Sequence, residues 1–184
     1  MIITGDTYVG RSAARSSSEW HSALGVASSE RRRCQSYLAC VLGNDSALNF
    51  DLVEADGQPG VAYDVIEVRQ CLDLSAVSRE AKVRICLRSG PFGSSQGGVG
   101  VLGYYPFGEY RFTIIRYGAL RLRSHARLAD LLALDCTQLF DARGVSIGSD
   151  SLMLLNVRGH GTSGSIQLVS RSLGLRLLKS YPSI

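Results

Sequence analysis

The sequence predicts an α+β domain: an N-terminal helical segment, then a mainly antiparallel β-sheet or sandwich carrying one inserted helix. Three observations predict it. Apolar residues near the N-terminus recur at helical spacing, the period shortens towards two from Ala47, and a leucine-rich block near 125–140 returns to the helical period. Helices at the front, many short strands and one helix between strands suit this class, whereas the regular βαβ alternation of a doubly wound sheet is missing. No internal repeat of solenoid length is seen. At 184 residues and 45% hydrophobic, the chain reads as one domain over 1–184 with a sizeable core.

Residues 1–15 read as a flexible lead and 16–43 as helical. Ser16-Ser17-Ser18-Glu19 has the spacing of a capping box, in which hydroxyl and carboxylate satisfy free amides of the first turn. Trp20 and Leu24 then share a face. Cys34, Tyr37, Leu38, Val41 and Leu42 fall at i, i+3, i+4, i+7 and i+8, a buried helical stripe that Gly43-Asn44-Asp45 stops. Gly25 and Ser28-Ser29 divide this stretch into two helices or kink a single one.

The β-rich part covers 47–184. Strand candidates are Leu48–Glu54, Val61–Leu72, Ala81–Arg88, Val99–Tyr105, Tyr110–Tyr117, Ala119–Arg123, Ser151–Arg158, Ser165–Ser170 and Leu173–Leu178. Turn chemistry separates them at Ala55–Gly60 and in the glycine-rich stretch from Gly90 to Gly100. The inserted helix runs from about His125 to Phe140, supported by Leu128, Leu131, Leu132, Leu139 and Phe140.

Charge is distributed unevenly. Residues 1–33 sum to +2, 34–108 to −3, 109–127 to +4 and 128–184 to +1, so the stretch from Glu109 to Arg127 holds as much net charge as the whole chain. Eighteen of the twenty basic residues are arginine, whose planar fork grips phosphate in a bidentate way. Tyr110, Phe112 and Ile114 alternate with Arg111 and Thr113, and after an interruption beyond Ile115 Leu120 and Leu122 turn inward and Arg121 and Arg123 outward. A bulge or hairpin near Tyr117-Gly118 restores a common face. The candidate anion-binding residues are therefore Arg111, Arg121 and Arg123, with Arg116 near the turn and Arg127 on the following helix. Tyr104, Tyr105 and Tyr117 are candidate stacking surfaces. The competing reading is a solvated face balanced by acids such as Asp51, Glu54 or Glu67. Arg31, Arg32 and Arg33 form a second basic element, where three cations in a first helical turn oppose the helix dipole and invite an external anion.

The chain carries no convincing catalytic or metal motif. Gly159-His160-Gly161-Thr162-Ser163-Gly164 matches the dinucleotide pattern, but no acid follows Asp150 to bind a ribose and too little chain remains for a βαβ unit. Gly98–Gly103 matches the same pattern and runs into Tyr104-Tyr105-Pro106, which cannot start a helix. The five cysteines and three histidines lack the paired spacing of a zinc site, so no metal and no cofactor is expected. His125 and Cys136, eleven residues apart on one helix, stand about 16 Å apart and form no dyad. His160, between glycines in a loop, is the best lone acid–base candidate.

The odd, scattered cysteines and an N-terminus without a long apolar core point to a reducing compartment and to a protein that is not secreted. Apolar runs break well before about 18 residues, so no transmembrane helix is expected. Tyr181-Pro182-Ser183-Ile184 resembles the short docking peptides with which budding viral proteins recruit membrane-scission machinery. The expected function is a non-enzymatic assembly or interaction protein that binds RNA or an anionic lipid surface through an arginine-rich β face. It self-associates and meets other structural proteins, with the profile of a viral matrix, coat or movement protein in the host cytoplasm or virion. The alternatives are a small enzyme using His160 or a cysteine, and a protein-binding β domain.

Overall fold

Burial alternates strictly over Ala47–Leu52 and Val83–Ser89 of the computed structural model, which describes residues 3–9, 34–90 and 100–171, with 3–9 and 34–38 entering as backbone alone. The strands are β1 (Ile3–Val9), β2 (Cys34–Leu42), β3 (Ala47–Leu52), β4 (Val65–Leu74), β5 (Val83–Ser89), β6 (Arg111–Leu122), β7 (Leu132–Gln138), β8 (Leu152–Arg158) and β9 (Gly164–Ser170). A four-residue helix, α1 (Leu128–Leu131), precedes β7, and a single 3-10 turn over Ser149–Ser151 precedes β8.

Two sheets share these strands: a large one in the order β1-β2-β4-β6-β9-β8 and a small one in the order β3-β5-β7. From β2 to β7 the chain passes from one sheet to the other at every step, so each strand lies parallel to the strand two before it. The crossover that parallel pairing demands is thus a strand in the opposite sheet rather than a helix. Only the last hairpin reverses direction, β9 pairing antiparallel with both β6 and β8. The result is a flattened coil closed on one flank by a hairpin.

Inward residues of both sheets meet in one apolar cluster. Phe50, Leu52, Val83, Ile85 and Leu87 come from the small sheet, and Val68, Leu72, Leu74, Phe112, Ile114 and Ile115 from the large one. The opposite faces of the same strands carry Arg84, Arg88, Glu67 and Asp73, all at least partly exposed, the alternation that half-buried strands require.

This architecture corrects the expected α+β class with its mainly antiparallel sheet: the described part is mostly β, with two sheets and one short helix, and its interior pairing is parallel. Cys34–Leu42, expected as the end of the 16–43 helical segment, is the strand β2, held between β1 and β4. Its apolar stripe fits either period because Cys40 and Leu42 also alternate with the half-buried Ala39 and Val41, and ladder bonds on both sides decide for the strand. Gly43-Asn44-Asp45, read as a helix stop, is the turn between the sheets: Asp45 takes φ 57°, and the Ser46 hydroxyl donates to Gly43 O at 2.8 Å while accepting from Gly43 N at 3.2 Å. The helix expected over 125–140 shrinks to α1, because from Leu132 onward the chain pairs with β5 at Val83, Ile85 and Cys86. The rest of the expected N-terminal helical segment, 16–33, lies outside the described residues, as do Leu173–Leu178 and Tyr181–Ile184.

Three loops return the chain from the small sheet to the large one, and they lie side by side. Leu102 N donates to Val53 O and Ala55 N to Leu102 O, both at 2.8 Å, while Val101 N donates to Phe140 O at 2.8 Å. Gly100 permits this approach, since a Cβ there would sit 1.8 Å from Asp141 O. Buried Asp141 organises the third loop: Oδ1 accepts from Arg143 N and Val145 N at 2.9 Å each, and Oδ2 from Arg143 Nη2 at 2.8 Å. The Val145 amide, aided by Arg143, holds the Asp141 carboxyl below the usual carboxylate range. A folded-state pKa below the unfolded one stabilises the protein above the unfolded value of about 3.9, and that contribution is lost as pH falls through the folded value. Thermal stability is therefore expected to fall as pH drops from about 4 downwards, and Asp141→Asn to flatten that limb. A variant with the parent's full acid dependence would refute the assignment.

Candidate nucleic-acid interface

β6 carries the basic segment, and two irregularities along it decide which way its arginines face. Against β9 the register slips between Thr113 and Ile115, leaving Ile114 as the extra residue, so Ile114 and Ile115 are both buried. Against β4 it slips again, because Arg69 and Gln70 occupy the space opposite Gly118. Each slip reverses the inside–outside parity once. Arg111, Arg116 and Arg121, five residues apart and so of alternating parity in a regular strand, all emerge exposed.

Neighbouring strands supply partial counter-charge. Arg116 lies opposite Glu67 in the β4 register and its Nη1 stands 3.1 Å from Glu67 Oε1; Arg121 lies opposite Asp73 with Nη1 3.3 Å from Oδ2. Burial pushes the Asp73 carboxyl up, but hydrogen bonds from Ser75 and the Arg121 charge outweigh it and the net shift is downward. These exposed pairs contribute little stability each, on the order of 0–1 kcal/mol, and an arriving phosphate can compete for either guanidinium. Arg111 has no ion pair among the described residues. Arg123 and Arg127 are exposed in the turn after β6, where Arg127 N donates to Asp130 Oδ2 at 3.0 Å and the Arg123 charge acts on Glu80. Arg31, Arg32 and Arg33 lie outside the described residues.

A cleft of about 400 Å³ opens where β6 meets the β8–β9 hairpin, lined by Arg116, Arg158, Tyr117, Thr113, Ser163 and Ser165 among others. Gly159–Gly164, the dinucleotide-like pattern, is the tip of this hairpin: Gly159 N donates to Ser163 O at 2.8 Å, and the Thr162 hydroxyl donates to Gly118 O at 2.9 Å. Gly164 lets the Tyr117 ring cross β9, since a Cβ would lie 2.4 Å from the Tyr117 hydroxyl, which donates to Asn156 Oδ1. Burial raises the Tyr117 pKa, the Asn156 bond and the Arg158 charge acting the other way. Arg158 escapes a reading of the basic segment because it stands far away in sequence and arrives only through the hairpin. Of the proposed stacking residues, Tyr104 and Tyr117 are buried and Tyr105 is exposed.

The candidates for chemistry are dispersed. Burial pushes the Cys40 and Cys136 thiols up to about 11, so both stay protonated at neutral pH, the reverse of an activated nucleophile. His160 is exposed at the hairpin tip, and its carbonyl accepts from the Ser163 hydroxyl at 2.8 Å. Among the described residues no group of three or more His, Cys, Asp or Glu is placed to hold a metal ion, and no helix is long and apolar enough to cross a membrane. Compared with known proteins, the chain matches no family model, no curated protein and no solved structure at a significant level.

Proposed function

We propose that this chain is a non-enzymatic interaction protein that holds single-stranded RNA along the arginine row of β6, in the manner of a coat or movement protein. The observation that carries the reading is the common exposure of Arg111, Arg116 and Arg121 despite their alternating parity. Ten strand steps of about 3.3 Å make the row about 33 Å long. Such a line suits a linear polyanion. A membrane presents a plane instead, and Glu67 and Asp73 lie beside the row, where they oppose anionic headgroups.

Binding of this kind is governed by counterion release. Fluorescence anisotropy with labelled single-stranded RNA is expected to give an association constant that falls steeply with salt, and replacing Arg111, Arg121 and Arg123 with Gln to lower the log–log slope by about 2, near 0.7 for each of three lost phosphate contacts. Circular dichroism of the triple variant should match the parent. Absence of binding by the parent at low salt, or an unchanged slope in the variant, sinks the reading. Capture by phosphatidylserine vesicles without RNA binding would transfer it to membranes.

A further inference from the structure

All five large hydrophobic residues exposed among the described residues lie in the three loops that return the chain from the small sheet to the large one: Val61, Leu102, Tyr105, Phe107 and Val145. Isolated exposed apolar residues are ordinary, but their confinement to one flank of the coil is not. Phe107 is 96% exposed and Tyr105 70%. The loops are held in place by mutual backbone hydrogen bonds, so the ring of Phe107 is offered from a braced edge.

The same flank is acidic. Loop residues 53–64, 100–110 and 139–151 contain six acids (Glu54, Asp56, Asp64, Glu109, Asp141 and Asp150) against Arg143, a net of −5. That charge repels an anionic membrane, and it repels the same flank of a second molecule, which disfavours a two-fold dimer formed edge to edge. It complements the cleft between β6 and the hairpin, where Arg116 and Arg158 stand beside Val157 and Tyr117.

We propose that Phe107 of one copy seats in the Arg116–Arg158 cleft of a second copy, with Glu109 facing the guanidinium groups, so that the chain associates head to tail. A ring between two arginines is held by apolar contact and cation–π attraction, and a cleft of about 400 Å³ has room for it. The two surfaces are different, so the contact is heterologous and leaves a free knob and a free cleft at the ends of every assembly that does not close into a ring. Arg116 belongs also to the proposed RNA row, so the inference predicts competition between RNA and self-association, yet it does not depend on RNA being the ligand.

Light scattering of nuclease-treated full-length protein at low salt is the test. The parent is expected to exceed the 19.9 kDa monomer mass. Phe107→Ser and Arg158→Glu, each alone, should weaken association about tenfold or more. Mixing the two variants should yield a one-to-one dimer that grows no further, since each supplies the surface that the other lacks. Phe107→Ser should bind RNA at least as tightly as the parent, since it frees Arg116 from the competing contact, which separates failure of this inference from failure of the RNA reading. A monomeric parent, a mixture that stays monomeric, or a parent that remains monomeric and binds vesicles through Phe107 would each overturn it.

Discussion

Gly118→Val is expected to destabilise the protein by about 3 kcal/mol, the upper part of the range for overpacking a well-filled site. In the interior of a strand, valine for glycine is ordinarily favourable, because glycine weakens strands and valine strengthens them. Here the sign reverses. A Cβ at 118 would lie 2.3 Å from Arg69 O and 2.8 Å from Gln70 O, and both are backbone atoms of the β4 bulge that cannot rotate aside. Relief requires β4 and β6 to separate locally, which also strains the Thr162 hydroxyl bond to Gly118 O. A melting temperature lower by about 6–12 °C is expected for a chain of this size. Gly144→Ala is the companion measurement: nothing lies within 4 Å of its Cβ, but φ is +79°, so backbone strain alone should cost about 1–2 kcal/mol. A Gly118→Val protein that melts with the parent would show that the bulge opposite Gly118 tolerates a side chain, and the explanation of how Arg121 comes to face outward would fail with it.

That bulge also marks how far the sequence could be read. The interruption of the alternation after Ile115 announced an irregularity near Tyr117-Gly118, and the structure has one there, on β4 rather than on β6. The second slip was hidden because Ile114 and Ile115 are adjacent and equally apolar, so hydropathy registers no break between them. Strand positions were legible wherever alternation was strict: Leu48, Phe50 and Leu52 in β3, or Val83, Ile85 and Leu87 in β5. Strand direction was not, since alternation is the same for parallel and antiparallel neighbours and each parallel partner arrives only after a passage through the other sheet. The β2 stripe satisfied a helical period by coincidence and long-range pairing overrode it, whereas Leu128–Leu131 is helical as expected and pairing with β5 takes over only from Leu132. At the candidate interface, Glu67 could be named as a counter-charge, whereas Asp73 and Arg158 become neighbours of the basic strand only through register and the final hairpin.

The largest single loss is expected for Phe112→Ala, at about 3–5 kcal/mol, a substantial share of the 5–15 kcal/mol that typically separates folded from unfolded domains. Phe112 is fully buried one position after Arg111, so one strand step separates the core from the proposed binding face. Its ring meets Tyr63 edge-on at 5.2 Å and lies 25° from the plane of Tyr110 at 6.2 Å, and Tyr110 in turn stacks on Tyr104 at 5.0 Å. This row of rings ties two of the three return loops to the core, and the Tyr110 hydroxyl fastens the second loop further by donating to Gly103 O at 3.1 Å and accepting from Tyr105 N at 2.7 Å. Removing the Phe112 ring leaves a cavity between these partners, because β6 is paired with β9 at Phe112 itself and with β4 from Ile115 onward, which limits how far its backbone can move to close it. Urea denaturation should show a midpoint well below that of the parent, with Phe112→Leu losing less. Limited proteolysis should cut the loop around Phe107 sooner in Phe112→Ala than in Arg111→Gln, which touches only the exposed face. If both variants resisted protease and denaturant alike, the ring row would not be what braces the Phe107 edge, and its readiness to dock would need another cause.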